Sequence, residues 1–115
     1  MATVAIRNLN NRVKGDTFSS IDFDVVDAGD APVDLTGVNV SFKFNYKCNT
    51  GMLVYNPSTT TSGVTITSAV NGAFTLDSFT PLTWEVGIYH WDMTMEFTDG
   101  TIHTYVRGTV KVIEA

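Results

Sequence analysis

Few side chains in this sequence could do chemistry: two histidines, one cysteine and a set of scattered carboxylates. His90 and His103 both fall on the predicted outward face of one β-hairpin, several register steps apart, whereas a metal pair or a catalytic dyad needs adjacent side chains. Cys48 stands beside a predicted turn with no base near it in the pattern, so it is a poor candidate for a nucleophile. The sequence contains no Gly-x-Ser-x-Gly elbow and no glycine-rich phosphate loop. We therefore predict no enzymatic activity and no cofactor.

Aspartates between residues 22 and 34 suggest calcium at first sight. Their spacing does not match the Asp-x-Asp-x-Asp-Gly loop, and no bidentate glutamate follows at the right distance. The pattern instead predicts a solvent-facing strand and capped turns, without a metal site. These residues are Asp22, Asp24, Asp27, Asp30 and Asp34.

Length, charge and cysteine content exclude several classes of protein. A chain of 115 residues forms one domain, and such a domain buries roughly 65% of its unfolded surface. Seven basic against twelve acidic side chains give a net charge of −5, which opposes binding to nucleic-acid phosphates. A single cysteine allows no internal disulfide, as in proteins of reducing compartments. The sequence begins without a secretory signal and has no membrane-spanning run, so we expect a soluble protein that is not exported.

Short stretches of alternating apolar and polar residues predict β-strands along most of the chain. The alternation is clearest over residues 38–46, where every second side chain is Val, Phe or Tyr. Turn-forming residues separate the stretches, and no window has the 3.6-residue period of a helix. The pattern predicts an antiparallel β-sandwich of seven or eight strands. The predicted strands are residues 3–7, 20–27, 38–46, 52–55, 64–66, 73–76, 87–97 and 101–113.

The last two strands predict a hairpin closed by Asp99-Gly100. A two-residue turn of type I′ at this dipeptide pairs residues whose numbers sum to a constant. Trp91 then faces Gly108, which leaves room for the indole. On the outer side of the hairpin opposite charges face each other, and each such pair stabilises the sheet by about 0.2–1 kcal/mol. The predicted pairs are Phe97–Ile102, Glu96–His103, Met95–Thr104, Met93–Val106, Asp92–Arg107, Trp91–Gly108, Tyr89–Val110 and Ile88–Lys111.

Two further glycines have predicted roles in turns. Pairing Ile66 with Phe74 requires an odd loop over residues 68–72, which predicts a left-handed Gly72. Residues 34–37 predict a turn in which the side chain of Asp34 or Thr36 forms a hydrogen bond with the local backbone. Gly37 is expected to adopt the backbone φ that the turn needs without steric strain.

Aromatic and apolar side chains supply the predicted core and a candidate contact surface. Trp84, with Pro81 and Leu82, is expected to plug one end of the sandwich. Tyr55, Ile88 and Tyr105 are the candidate contacts for an interface or a glycan. The predicted core residues are Phe23, Phe42, Phe44, Tyr89, Trp91 and Met93.

The first fourteen residues are predicted to form an N-terminal strand on a polar joint, ahead of a sandwich body over residues 15–113. Two alternatives stay open. The strand could swing out and add to the edge of another copy, or it could complete its own sheet.

Several motifs together resemble a known family. They are Gly15-Asp16 before the first long strand, the Pro-x-Asp-Leu-Thr-Gly segment at 32–37, Gly72, the Gly-x-Tyr-x-x-Asp segment at 87–92 and the Gly-x-Val segment at 108–110. Residues 15–113 resemble the immunoglobulin-like domain of tailed-bacteriophage baseplate and tail proteins, typified by the N-terminal domain of the baseplate upper protein family.

The resemblance implies an immunoglobulin-like β-sandwich that acts as a structural component of a virion, assembled in the host cytoplasm. It implies contacts with other virion proteins and with copies of itself, in a tail, baseplate, neck or fibre junction. Members often continue into a further region, so this chain is expected to be a free-standing module. The alternatives are a capsid decoration protein and a carbohydrate-binding module, for which Tyr55, Asn56, Trp84 and Tyr105 would be the contacts.

Overall fold

The computed structural model describes residues 5–6, 8–27, 29–47, 52–81 and 83–114, and it confirms an all-β fold. Within these ranges no helix is long and apolar enough to cross a membrane. Cys48, the predicted turn at 49–51 and Leu82 lie outside the described residues. The strands are β1 (Ala5–Ile6), β2 (Arg12–Val13), β3 (Ile21–Asp24), β4 (Asn39–Tyr46), β5 (Met52–Tyr55), β6 (Val64–Ser68), β7 (Ala73–Leu76), β8 (Gly87–Glu96) and β9 (Ile102–Ile113).

These strands form two sheets that pack face to face. The large sheet has the order β1-β9-β8-β4-β5, with β2 also paired to β9, and the small sheet has the order β3-β7-β6. An immunoglobulin-like sandwich places strands B, E and D in one sheet and strands G, F, C and C′ in the other. With β3 as strand B and β9 as strand G, the strand order is the same, and it identifies the fold.

An aromatic cluster fills the middle of the sandwich. The ring of Phe23 on β3 lies 5.4 Å from that of Phe42 on β4 and 6.4 Å from that of Trp91 on β8. Antibody domains join the strands equivalent to β3 and β8 by a disulfide, with a tryptophan from the strand equivalent to β4 packed against it. In this protein the packing of three aromatic rings links β3, β4 and β8 in place of the disulfide and its tryptophan. The predicted core residues are all buried, at 8% exposure or less: Phe23, Phe42, Phe44, Tyr89, Trp91 and Met93.

Tyr89 fixes the chain where it enters β8. Its hydroxyl donates a hydrogen bond of 2.7 Å to the carbonyl of Glu85, four residues earlier, as in the tyrosine corner of immunoglobulin-like domains. Trp84 stacks on the Tyr89 ring at 4.5 Å and is only 5% exposed. Trp84 therefore closes this end of the sandwich, as its place between the sheets predicted.

The turn between β8 and β9 differs from the predicted one. The N–H of Gly100 donates to the carbonyl of Phe97, and the N–H of Phe97 donates to the carbonyl of Thr101. Gly100 has a φ of 90°, whereas Asp99 does not have the positive φ that a type I′ turn requires. The connection is a three-residue loop with a left-handed glycine at its end. The prediction of a two-residue turn at Asp99-Gly100 was therefore wrong.

The longer loop changes the register near the turn. From Tyr89–Val110 to Met93–Val106 the pairs are the predicted ones. Closer to the turn each pair moves by one residue, and a bulge at Tyr105 absorbs the difference. The three pairs predicted nearest the turn were therefore wrong. The observed pairs here are Thr94–Thr104, Met95–His103 and Glu96–Ile102, with Phe97–Thr101 closing the loop.

The other two turns contain their expected glycines. Ile66 pairs with Phe74, and Gly72 follows a short 3₁₀ turn with a φ of 67°. Gly37 has a φ of 75°. Asp34 accepts hydrogen bonds from the backbone N–H and the hydroxyl of Thr36, at 2.9 and 2.7 Å.

The N-terminal segment completes its own sheet. β1 and β2 both pair with β9 in the parallel sense, at Ala5–Val106 and Val13–Ile113. The backbone N–H of Leu9 donates to the carbonyl of Thr109 at 2.8 Å, between the two strands. The polar residues after the first strand therefore hold it against β9. They contain β2, which is too short to produce an alternating pattern in the sequence.

Candidate functional site

The outer face of the large sheet carries a polar cavity of about 300 Å³. Strand register creates it, because β4, β8 and β9 place polar side chains side by side. Asn45, His90 and Thr109 form one row across the three strands, and Lys43, Asp92 and Arg107 form the next. The cavity is lined by Asn8, Asn45, His90, Trp91, Asp92, Arg107, Gly108 and Thr109.

Two residues that line this cavity, Trp91 and Asp92, each have a buried polar atom without a hydrogen-bond partner among the described residues. In Asp92 this atom is Oδ1. Burial raises the pKa of Asp92, although the nearby charges of Lys43 and Arg107 act to lower it. A half-buried carboxylate therefore lies in the cavity wall, with one oxygen that neither solvent nor a hydrogen-bond donor of the described residues reaches.

Asp92 and Arg107 face each other across the strands, as predicted, but they do not form a salt bridge. The one ion pair within 4 Å in the described part of the chain joins Lys14 and Glu85, at 3.5 Å. Arg107 is exposed, so its guanidinium can point toward solvent or toward a ligand. The cavity thus has a carboxylate and a guanidinium on its walls that do not neutralise each other by direct contact.

The N-terminal segment forms one wall of the cavity. The carbonyl oxygen of the Asn8 side chain accepts hydrogen bonds from the N–H and the hydroxyl of Thr109, at 3.0 and 3.1 Å. These bonds hold the Asn8 side chain beside Thr109 in the cavity lining. Asn8 and Asn45 had no role in the sequence prediction, because a contact between the first and last strands leaves no local pattern.

A second exposed feature is the edge of the large sheet at β5, which has no partner strand on its outer side among the described residues. This strand pairs with β4 on one side, through Phe44–Tyr55 and Tyr46–Met52, and ends the sheet order on the other. Met52 is 68% exposed and Leu53 is 51% exposed. An open edge with apolar side chains can add a strand from another chain.

The three predicted contact residues lie in different places. Ile88 is 47% exposed on β8. Tyr55 is half-buried, with its ring 4.4 Å from Phe79. Tyr105 is half-buried at the bulge, where its ring meets that of His103. Since Trp84 is buried as well, these residues do not form one aromatic platform for a sugar.

The two histidines also lie apart. His90 lines the cavity, whereas His103 pairs with the buried Met95 and contacts the ring of Phe97 at 5.9 Å. The prediction that both point outward was wrong for His103, because the shifted register reverses its side. No group of three His, Cys, Asp or Glu side chains among the described residues could hold a metal ion.

No family model and no curated protein sequence matches this chain. Among solved structures it is similar to CopC from Methylosinus trichosporium OB3b, with a TM-score of 0.47 and 18% identity over 91% of this chain and 87% of that one. A similarity at this level carries no argument about fold or function. The assignment of the fold rests on the strand order, and the functional argument rests on the side chains described above.

Proposed function

We propose that this chain is a non-enzymatic assembly module and a structural component of a bacteriophage particle. Its place would be a tail, baseplate, neck or fibre junction, or the capsid surface as a decoration protein. The virion assignment is supported by the resemblance of residues 15–113 to the immunoglobulin-like domains of phage baseplate and tail proteins. The partners would be copies of this chain and other virion proteins.

The observation that carries the assembly role is the free apolar edge at β5. Exposed edges in monomeric β-proteins are usually protected by charges, prolines, bulges or a covering segment. The segment 8–13 covers part of the opposite edge, at β9, where it pairs in parallel. β5 has a bulge at Val54, between the pairs Phe44–Tyr55 and Asn45–Leu53. Beyond that bulge, however, Met52 and Leu53 are both more than half exposed and neither residue is charged. An edge of this kind fits β-strand addition from a neighbouring subunit.

Light scattering of the purified protein over a wide concentration range tests the assembly role. We expect a discrete oligomer that dissociates when Met52 and Leu53 are both replaced by Lys, since charges on an edge oppose strand addition. Val70→Lys is the matched control, because Val70 is 67% exposed in the 3₁₀ turn before Gly72 and does not belong to a strand.

A monomer at every concentration, or an oligomer that the Lys variant leaves intact, would contradict assembly through β5. The virion assignment has its own test. An antibody against this chain should label particles purified from the source, and particles that lack the chain would overturn the assignment.

A further inference from the structure

We propose that the polar cavity on the outer face of the large sheet is a binding site for a neutral carbohydrate, held through its hydroxyl groups by Asp92, Arg107, Asn8 and Asn45. The site differs from the aromatic glycan surface predicted from the sequence. It also does not depend on assembly at β5.

The size and position of the cavity fit one sugar unit. Its volume of about 300 Å³ is at the lower end of the range for small-molecule sites. It lies on a face built from three hydrogen-bonded strands, β4, β8 and β9, so its walls are held by the sheet itself. Side chains on such a face are positioned more rigidly than side chains on a loop.

The unpartnered Asp92 oxygen indicates what a ligand must supply. A buried charged acceptor without a donor is destabilising, and a ligand that donates a hydrogen bond removes that penalty once the carboxylate turns this oxygen toward the cavity. A sugar hydroxyl is such a donor. It is also uncharged, so it enters the cavity with a smaller desolvation cost than an ammonium group.

The remaining groups fit a second hydroxyl on the same ligand. Arg107 donates hydrogen bonds and cannot accept them, so it pairs with a hydroxyl oxygen. Its register position opposite Asp92 places a donor and an acceptor at the spacing of cross-strand neighbours, about 4.5–5.5 Å between β-carbons. Two adjacent ring hydroxyls, one donating to Asp92 and one accepting from Arg107, would occupy both groups.

The charge of the cavity argues against other ligands. Within the lining, Asp92 and Arg107 cancel formally, and the other polar side chains are two amides, a hydroxyl and an imidazole. Lys43 on β4 lies outside the lining, beside Asp92. A phosphate or a dicarboxylate would be repelled by Asp92, and a dication would be repelled by Arg107. The remaining competitor is a zwitterion such as glycine, which would place its ammonium on Asp92 and its carboxylate on Arg107.

Amide chemical shifts of the ¹⁵N-labelled protein test the proposal. The probes are neutral sugars (glucose, galactose, N-acetylglucosamine and their disaccharides), with glycine as the zwitterionic comparison, each titrated to high millimolar concentration. We expect at least one sugar to give saturable shifts confined to residues 90–92 and 107–109, with a Kd in the millimolar range. Glycine should give none.

Two variants locate the site. Asp92→Asn and Arg107→Gln should each weaken sugar binding by about tenfold or more, because each removes a charge-assisted hydrogen bond. Glu96→Gln on the same strand, outside the cavity, should leave the Kd unchanged. Asp92→Asn removes a half-buried charge, so we expect it to fold at least as well as the parent chain.

Three outcomes would overturn the proposal. They are the absence of saturable shifts with every sugar, tighter binding of glycine than of any sugar at these residues, and a Kd that Asp92→Asn does not change. None of these outcomes would bear on assembly through β5, which is measured separately by light scattering.

Discussion

At the scale of single residues, the ionised form of Asp92 destabilises the folded state. Burial raises the pKa of Asp92 despite the neighbouring cations Lys43 and Arg107. The folded state therefore binds a proton at this carboxyl more tightly than the unfolded state does. By linkage, stability falls as pH rises from the ordinary aspartate pKa of 3.8 through the raised value.

Asp92→Asn should consequently raise the free energy of unfolding at neutral pH. The gain should shrink as pH falls through the raised pKa toward 3.8, since the parent carboxyl then becomes neutral too. Urea unfolding at several pH values measures this difference. Asp24→Asn is the control, because Asp24 is exposed on β3. A loss of stability in Asp92→Asn at neutral pH would contradict the account.

Gly72 is a residue whose replacement should be costly for two independent reasons. Its φ is 67°, and an added β-carbon would lie 2.5 Å from the carbonyl oxygen of Val25. We expect Gly72→Ala to lower the free energy of unfolding by about 1–2 kcal/mol for the left-handed backbone and by about 1–3 kcal/mol more for the overlap. Gly100→Ala, with a φ of 90° and no atom within 4 Å of the added carbon, should show the first cost alone. Equal losses in urea unfolding of the two variants would refute the second cost.

At the scale of elements, two turns depend on carboxylates. Asp34 accepts two hydrogen bonds from Thr36, and Asp99 accepts two from Thr101. These hydrogen bonds lower the pKa of both aspartates, the backbone bond contributing most for Asp34 and the hydroxyl bond for Asp99. Each turn therefore contributes stability that is fully present above the ordinary pKa of 3.8 and is lost as pH falls through the lowered values.

The double variant Asp34→Asn/Asp99→Asn should flatten the acid side of the stability curve. Its Tm should fall relative to the parent near neutral pH, and the two curves should converge below the lowered pKa values. Differential scanning calorimetry from acid to neutral pH measures both effects. The same difference in Tm at every pH would mean that the carboxylate charge is not what stabilises these turns. The sign is opposite to that of Asp92→Asn, so the two experiments check each other.

The elements themselves could largely be predicted from the sequence. Alternation over residues 38–46 and 87–97 is a local property, and it located β4 and β8 to within one residue. The turn at Asp99-Gly100 could not be predicted, because a single φ at Asp99 separates a two-residue from a three-residue loop. β2 could not be predicted either, since two residues carry no period.

The candidate site depended on information that local patterns do not contain. Asp92 and Arg107 were predicted to face each other, and they do. The wall that Asn8 builds beside them depends on how the N-terminal segment packs against β9. Those contacts join residues about a hundred positions apart, such as Asn8 and Thr109.

At the scale of the whole molecule, the N-terminal segment should contribute to stability as well as to the cavity. Removing the chain before Lys14 would delete the pairing of β1 and β2 with β9, the Leu9–Thr109 backbone bond and the apolar contact of Leu9 with the core. At about 1 kcal/mol for each hydrogen bond, the truncated chain should lose a few kcal/mol of unfolding free energy. It should also self-associate, because the edge of β9 becomes free.

Urea unfolding and light scattering of the truncated chain measure these two effects. Asn8→Ala is the smaller control, since it removes the side-chain bonds to Thr109 and keeps the backbone pairing. A truncated chain with the same free energy of unfolding as the parent would show that the N-terminal segment does not stabilise the fold.

The parallel pairing of the N-terminal segment with β9 also determines how the molecule carries load. Both run in one direction, so Ala5 lies beside Val106 and Val13 beside Ile113. A force that pulls Ala5 and Ile113 apart acts along the strands and strains the bonds between them in shear. Bonds in that arrangement share the tension and must break together, whereas bonds in a peeled hairpin break one after another. Pulling Ala5 and Ile113 apart should therefore need a larger force than peeling β9 from β8 would.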